Sequence, residues 1–224
     1  MIKLHQEHYG NFKRSIVLDE TWGGKNIERW WKYVIGEKNN KFPQGHINRQ
    51  KLKEICLSNR YTEEECVGAV MAWGGQRRNH GRMLFDRIGE ITPIIGEMRQ
   101  GLMDPSEAYG EFDAIWQLNK PLGMGAAYFT KLIYFCSPKH NGYIMDQWTS
   151  KSVNLLCNEV IVNLTSGYVS KKNNSRIYYQ FCNIIEEISK DMKISAEDVE
   201  MAMFSKGGRN KAAWRKYVVD RYKV

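Results

Sequence analysis

Proline is scarce in this chain, and strand-like alternation is scarcer. The 224 residues include five prolines, and few stretches follow the two-residue apolar/polar period of a half-buried strand, which argues against a sheet-dominated fold. No run of about eighteen apolar residues occurs, so no segment reads as a membrane-spanning helix. The first residues, Met-Ile-Lys-Leu-His-Gln-Glu-His, lack the apolar stretch of a secretory signal, and the chain reads as cytoplasmic. Cysteine is present without pattern. Cys56, Cys66, Cys136, Cys157 and Cys182 are scattered, odd in number and free of any Cys-x-x-Cys pair. That disfavours zinc sites and disulfide frameworks, and buried free thiols are expected. No closely spaced set of four cysteines near the C-terminus offers an iron–sulfur site. His5, His8, His46, His80 and His140 show no metal-ligand spacing. Internal repeats and low-complexity tracts are absent too.

What the chain does have is positive charge and helical periodicity. The formal net charge is +8 and the pI about 9.2, which favours a polyanionic partner, nucleic acid ahead of membrane. Ile27, Trp30, Trp31 and Val34 share one helical face. Ile47, Leu52 and Ile55 fit another less regularly. Cys66, Val67, Val70, Met71 and Trp73 form an apolar stripe after Thr62, a natural N-cap with Glu65 three residues on. Leu84, Phe85 and Ile88 follow. Further helices are expected from Pro105 to Trp116, from Asp146 to about Leu156, across Ile177–Met192 and across Ala212–Tyr222. The reading is all-α, with roughly ten helices; short β structure is admissible near Ser15–Leu18. Ser170–Ser175 and Ser205–Asn210 are the most polar loops, and neither has the character of a domain linker.

The densest chemical information lies in Leu122-Gly123-Met124-Gly125, the helix carrying Lys131 after it, and Asp146 at the next helix start. A glycine hairpin of this form can present backbone N–H groups to a phosphate. It is not a dinucleotide fingerprint, because no strand precedes it and the third glycine is missing. Taken alone, Lys131 reads as a lysine snorkelling from an amphipathic helix, although Phe129, Leu132, Ile133 and Tyr134 make its surroundings unusually apolar. Asp146 reads as an N-cap, and a capping aspartate near a positive helix end stays ionised.

Together these residues resemble the helix-hairpin-helix DNA glycosylase superfamily, in its 8-oxoguanine glycosylase branch. The hairpin motif spans about 109–136 and the aspartate loop and helix 137–157, within one glycosylase domain of residues 1–224. The family's lysine position corresponds to Ala127. Lys131 lies one turn further on the same face, about 6 Å along the axis, within reach of a long side chain. The aspartate is preceded by the Asn141-Gly142 turn and by Tyr143-Ile144-Met145.

The resemblance implies two helical subdomains around one cleft, with both chain ends in the same subdomain and the hairpin at the cleft edge. It implies that Lys131 is the nucleophile and Asp146 the catalytic carboxylate. Gly123, Met124 and Gly125 would contact DNA. One of Gln76, Arg77, Arg78 or Asn79, from the loop within Ala72–Arg82, would fill the gap left by a flipped base. Phe204 would stack on that base, although a core role suits it as well; Trp148 reads as core. Lys206, Arg209, Lys211, Arg215, Lys216, Arg221 and Lys223 make the tail a candidate phosphate-facing surface. The implied activity is excision of 8-oxoguanine from duplex DNA with β-elimination lyase activity, without metal or organic cofactor, in a monomer. Three other readings remain open: another modified base, as in phage DNA with a defence role; a helix-hairpin-helix module that binds DNA without catalysis; and an all-α protein-interaction domain.

Overall fold

The computed structural model describes residues 3–17, 23–118, 120–139, 141–207 and 211–222. The chain forms two compact units, one of Met1–Asp19 with Tyr143–Val224 and one of Glu20–Gly142, so both chain ends belong to the same unit. Among the described residues there are twelve helices and one two-stranded sheet. None of the helices is long and apolar enough to cross a membrane.

The Glu20–Gly142 unit contains α2 (Ile27–Ile35), α3 (Arg49–Leu57), α4 (Glu63–Trp73), α5 (Arg78–Phe85), α6 (Ile88–Arg99), α7 (Pro105–Gln117) and α8 (Ala126–Cys136). Helix α4 is its centre, buried continuously from Glu65 to Trp73 and packed by α2, α3, α6 and α8. Its start is the expected capping box, with Thr62 and Glu65 each accepting the other's backbone N–H. A Cβ at Gly68 would lie 2.4 Å from the Trp31 ring, so the indole rests directly on the α4 backbone. A second aromatic group joins α7 to α8: Phe129 sits 5.0 Å from Tyr109, 5.6 Å from Phe112 and 5.7 Å from Trp116, centroid to centroid. Helix α6 carries Pro93 in its interior, where the ring removes the backbone bond to Gly89.

The other unit contains α1 (Gln6–Ser15), α9 (Gln147–Cys157), β1 (Leu164–Thr165), β2 (Tyr168–Val169), α10 (Ser175–Met192), α11 (Ala196–Phe204) and α12 (Ala213–Arg221). Helix α9 is packed by α1, α10, α11 and α12. Trp214 of α12 stacks edge-on to Phe12 at 4.9 Å and donates to the Ser152 hydroxyl at 2.9 Å. The strands lie at Leu164–Val169, not near Ser15–Leu18. Ser15 closes α1, and Leu18 falls outside the described residues. Ser166 and Gly167, with φ of 50° and 80°, supply the left-handed pair that a tight β-hairpin needs.

Candidate functional site

The hairpin is fixed by its first glycine. Gly123 has φ +77°, and a Cβ there would lie 2.1 Å from the His80 carbonyl and 3.0 Å from the Leu84 nitrogen. Only glycine permits this approach to α5. Its carbonyl accepts a 2.9 Å bond from Gln76 Nε2, while Trp30 Nε1 donates to the Gln76 carbonyl at 2.8 Å. Leu122 and Met124 are buried, so Met124 anchors the turn from inside. Gly125 is the N-cap of α8, which has no side-chain cap. Its carbonyl accepts the amides of Tyr128 and Phe129 at 2.8 and 3.1 Å. The start of α8 thus has the unscreened amides and positive dipole end suited to an anion.

Lys131 turns back along α8. Its Nζ donates to the Ala127 carbonyl at 2.8 Å and lies 5.2 Å from the Tyr128 ring centroid. The amine therefore reaches the Ala127 level, as the i,i+4 relation anticipates. Its stem passes the last residues of α4, because a Cβ on Gly74 would sit 3.3 Å from Lys131 Cδ and 3.1 Å from the Tyr128 ring. Burial raises the Tyr128 pKa, and the Arg77 charge opposes that shift. Within this unit the glycine loop after α4, Tyr128, Lys131 and the hairpin are therefore brought together.

The loop itself is shorter than the sequence suggests. Arg78, Asn79, His80, Gly81 and Arg82 belong to α5, and the connection is Gly74–Arg77. Gln76 is only 3 % exposed and braces the hairpin, so its side chain does not project toward solvent. Arg77, Arg78 and Asn79 are exposed at the start of α5. The Arg78 guanidinium lies 3.6 Å from the Tyr33 ring centroid, and Arg82 donates to the Tyr33 carbonyl at 3.0 Å.

Asp146 belongs to the other unit. It is 8 % exposed and is the N-cap of α9. Its Oδ1 accepts the amides of Trp148 at 2.7 Å and Thr149 at 3.1 Å, and Thr149 Oγ1 accepts the Asp146 amide at 2.9 Å. Thr149 Oγ1 also donates to the Ile144 carbonyl at 2.8 Å, fixing the entry to the helix. Oδ2 makes no hydrogen bond among the described residues. One oxygen thus holds the helix start by itself.

Three cation and aromatic side chains surround this carboxylate's helix. Trp148 is half-buried rather than core, with Lys151 Nζ 4.6 Å and Arg215 Cζ 3.9 Å from its ring centroid. Arg215, read from the sequence as part of a basic surface, is 5 % exposed. Burial brings its pKa down to about 10, and Asp146 opposes the shift. Its Nη2 donates to the carbonyls of Phe204 and, at 2.8 Å, of Ser205. The guanidinium also lies 5.2 Å from the half-buried Phe204 ring. Lys206, Lys211 and Lys216 are exposed, while Arg209 and Lys223 lie outside the described residues.

Sequence reasoning missed Tyr128, Lys151 and the inward turn of Arg215. Tyr128 was legible as the residue three before Lys131 on one helical face. Lys151 lies on the helix that Asp146 caps, but a single lysine there carries no distinguishing pattern. Among the described residues no group of three His, Cys, Asp or Glu side chains is placed to hold a metal. All five cysteines are free thiols.

Residues 19–204 match the family model described as "Putative 8-oxoguanine DNA glycosylase OGG-like protein". Neither the curated proteins nor the solved structures include a match to the chain.

Proposed function

The chain belongs to the 8-oxoguanine DNA glycosylase OGG-like family, and we propose that it excises 8-oxoguanine from duplex DNA through a lysine Schiff base, with associated abasic-site lyase activity. The observation that carries this reading is Asp146: a carboxylate with one oxygen locked by two helix amides and the other without a partner among the described residues. In excision, the C1′–N9 bond breaks and positive charge develops on the sugar, which a fixed carboxylate stabilises. The attacking ammonium must first give up a proton to a base or to water. Lys131 Nζ bonds to C1′, the base departs with its electron pair and takes up a proton, and the sugar ring opens to the imine. Loss of the C2′ proton then expels the 3′ phosphate, and water hydrolyses the imine.

The remaining residues take supporting roles in this proposal. The amides at the start of α8, with Gly123 and Gly125, grip a phosphate. Arg77, Arg78 and Asn79 face the duplex, and one of them fills the vacated base position. Phe204 stacks on the extruded base. The test is a single-turnover excision assay on duplexes carrying 8-oxoguanine, an abasic site or no lesion. Release of 8-oxoguanine and nicking of the abasic duplex are expected, with the undamaged duplex untouched. Nicking of the abasic duplex alone would keep the chemistry and move the substrate to another modified base, such as those of phage DNA. Duplex binding without either reaction would leave a DNA-binding module.

A further inference from the structure

We propose that Lys151 and Arg215, gathered around Trp148, hold a backbone phosphate of the substrate strand beside Asp146. The inference rests on the DNA-glycosylase reading and assigns to it a contact outside the hairpin. Two cations press on one indole ring, at 4.6 and 3.9 Å from its centroid. Among the described residues Lys151 makes no hydrogen bond and no ion pair. Arg215 is 5 % exposed, spends Nη2 on two backbone carbonyls, and keeps a buried Nε without a partner. Asp146 acts on both through its charge but bonds to neither.

Two cations gathered near a single carboxylate leave a net positive charge at this place, which a bound anion offsets. The Lys151 pKa is lowered by burial and then by Arg215, against the opposing pull of Asp146. The chemistry selects the kind of anion. A planar carboxylate is best held by a two-pronged guanidinium, and one prong of Arg215 is already occupied; a tetrahedral phosphate tolerates donors from several directions, including the point charge of a lysine. The β1–β2 turn passes beside the amine, where a Cβ on Gly167 would sit 3.4 Å from Nζ. A need for this site is plain as well. A catalytic carboxylate repels the strand it must act on, and two adjacent cations offset that repulsion.

The experiment measures binding to a duplex with an uncleavable abasic analogue, in which single phosphates around the analogue are replaced by neutral methylphosphonates. Wild type is compared with Lys151→Met, which keeps the apolar stem, and with Lys151→Arg, which keeps the charge. We expect one position where neutralisation weakens wild type about tenfold, the scale of one charged hydrogen bond. Lys151→Met should bind the unmodified duplex about tenfold more weakly and lose nothing further at that position, with the salt slope reduced by about one. Lys151→Arg should restore the wild-type pattern. Losses that simply multiply at every position, or a Lys151→Met variant with wild-type affinity, would overturn the phosphate site while leaving the glycosylase reading intact. A wild-type protein that does not bind the duplex would overturn both.

Discussion

Asp146 caps α9 and, in the proposed mechanism, is also the catalytic carboxylate, and substitution separates the two roles. Asparagine caps helices about as well as aspartate, whereas alanine gives up about 1 kcal/mol. Asp146→Asn should therefore keep the wild-type melting temperature and lose base excision, while Asp146→Ala should lose both; excision by the asparagine variant would remove the carboxylate from the mechanism. Gly123 is constrained for a different reason. A side chain there meets a left-handed backbone and the His80 carbonyl together, so Gly123→Ala should cost at least about 1–3 kcal/mol in denaturant unfolding. Unchanged stability would mean that the turn is not as tight as described. The turn at Gly123 and the cap at Asp146 were legible, because glycine suits a left-handed turn and aspartate a helix start. The inward turn of Gln76 was not legible, because an amide beside three arginines looks the same in sequence whether it faces solvent or a hairpin carbonyl.

At the level of elements, strong periodicity and caps were readable and weak ones were not. The α4 capping box, Pro105 at the start of α7 and Asp146 at the start of α9 all follow from cap chemistry. Helices α1 and α6 had no such signature, whereas α11 has one that the sequence reading passed over, Ser195 capping the Asp198 amide three residues on. Helix α1 buries only Phe12, too little for an apolar stripe, and α6 contains a proline, ordinarily a break signal. The α4–α5 boundary was misread because two glycines and a run of polar residues look like a long loop, although Arg78–Phe85 buries Gly81 and Leu84. Glu65 gives the α4 cap a pH dependence. Burial works to raise its pKa, but bonds from the Thr62 amide, Asn39 and Lys41 outweigh it and hold the pKa below the ordinary glutamate value. The folded state therefore binds this proton less readily than the unfolded chain. The stability it contributes is present above the unfolded glutamate pKa and is lost as pH falls through the folded one. Glu65→Gln should flatten the acid limb of a stability–pH profile; an unchanged limb would show that Glu65 is not the group responsible.

For the whole molecule, charge was the property most directly readable. A net charge of +8 and a DNA-glycosylase family membership together predict steep salt dependence. Duplex affinity should fall on the order of a thousandfold between about 50 and 200 mM salt if six phosphates are contacted. A flat response would favour a protein partner over DNA. The division into two units was implied by resemblance and not by composition, because the junction at Gly142–Tyr143 has no linker-like sequence. That junction puts Lys131 and Asp146 on different units, and the proposed mechanism requires Lys131 to bond covalently to the sugar. Sodium borohydride trapping on a labelled 8-oxoguanine duplex tests it most directly, with wild type, Lys131→Ala and Lys151→Ala compared. A covalent adduct is expected with wild type and with Lys151→Ala, and none with Lys131→Ala. An adduct that survives Lys131→Ala, or no adduct from wild type on either an 8-oxoguanine or an abasic duplex, would contradict it.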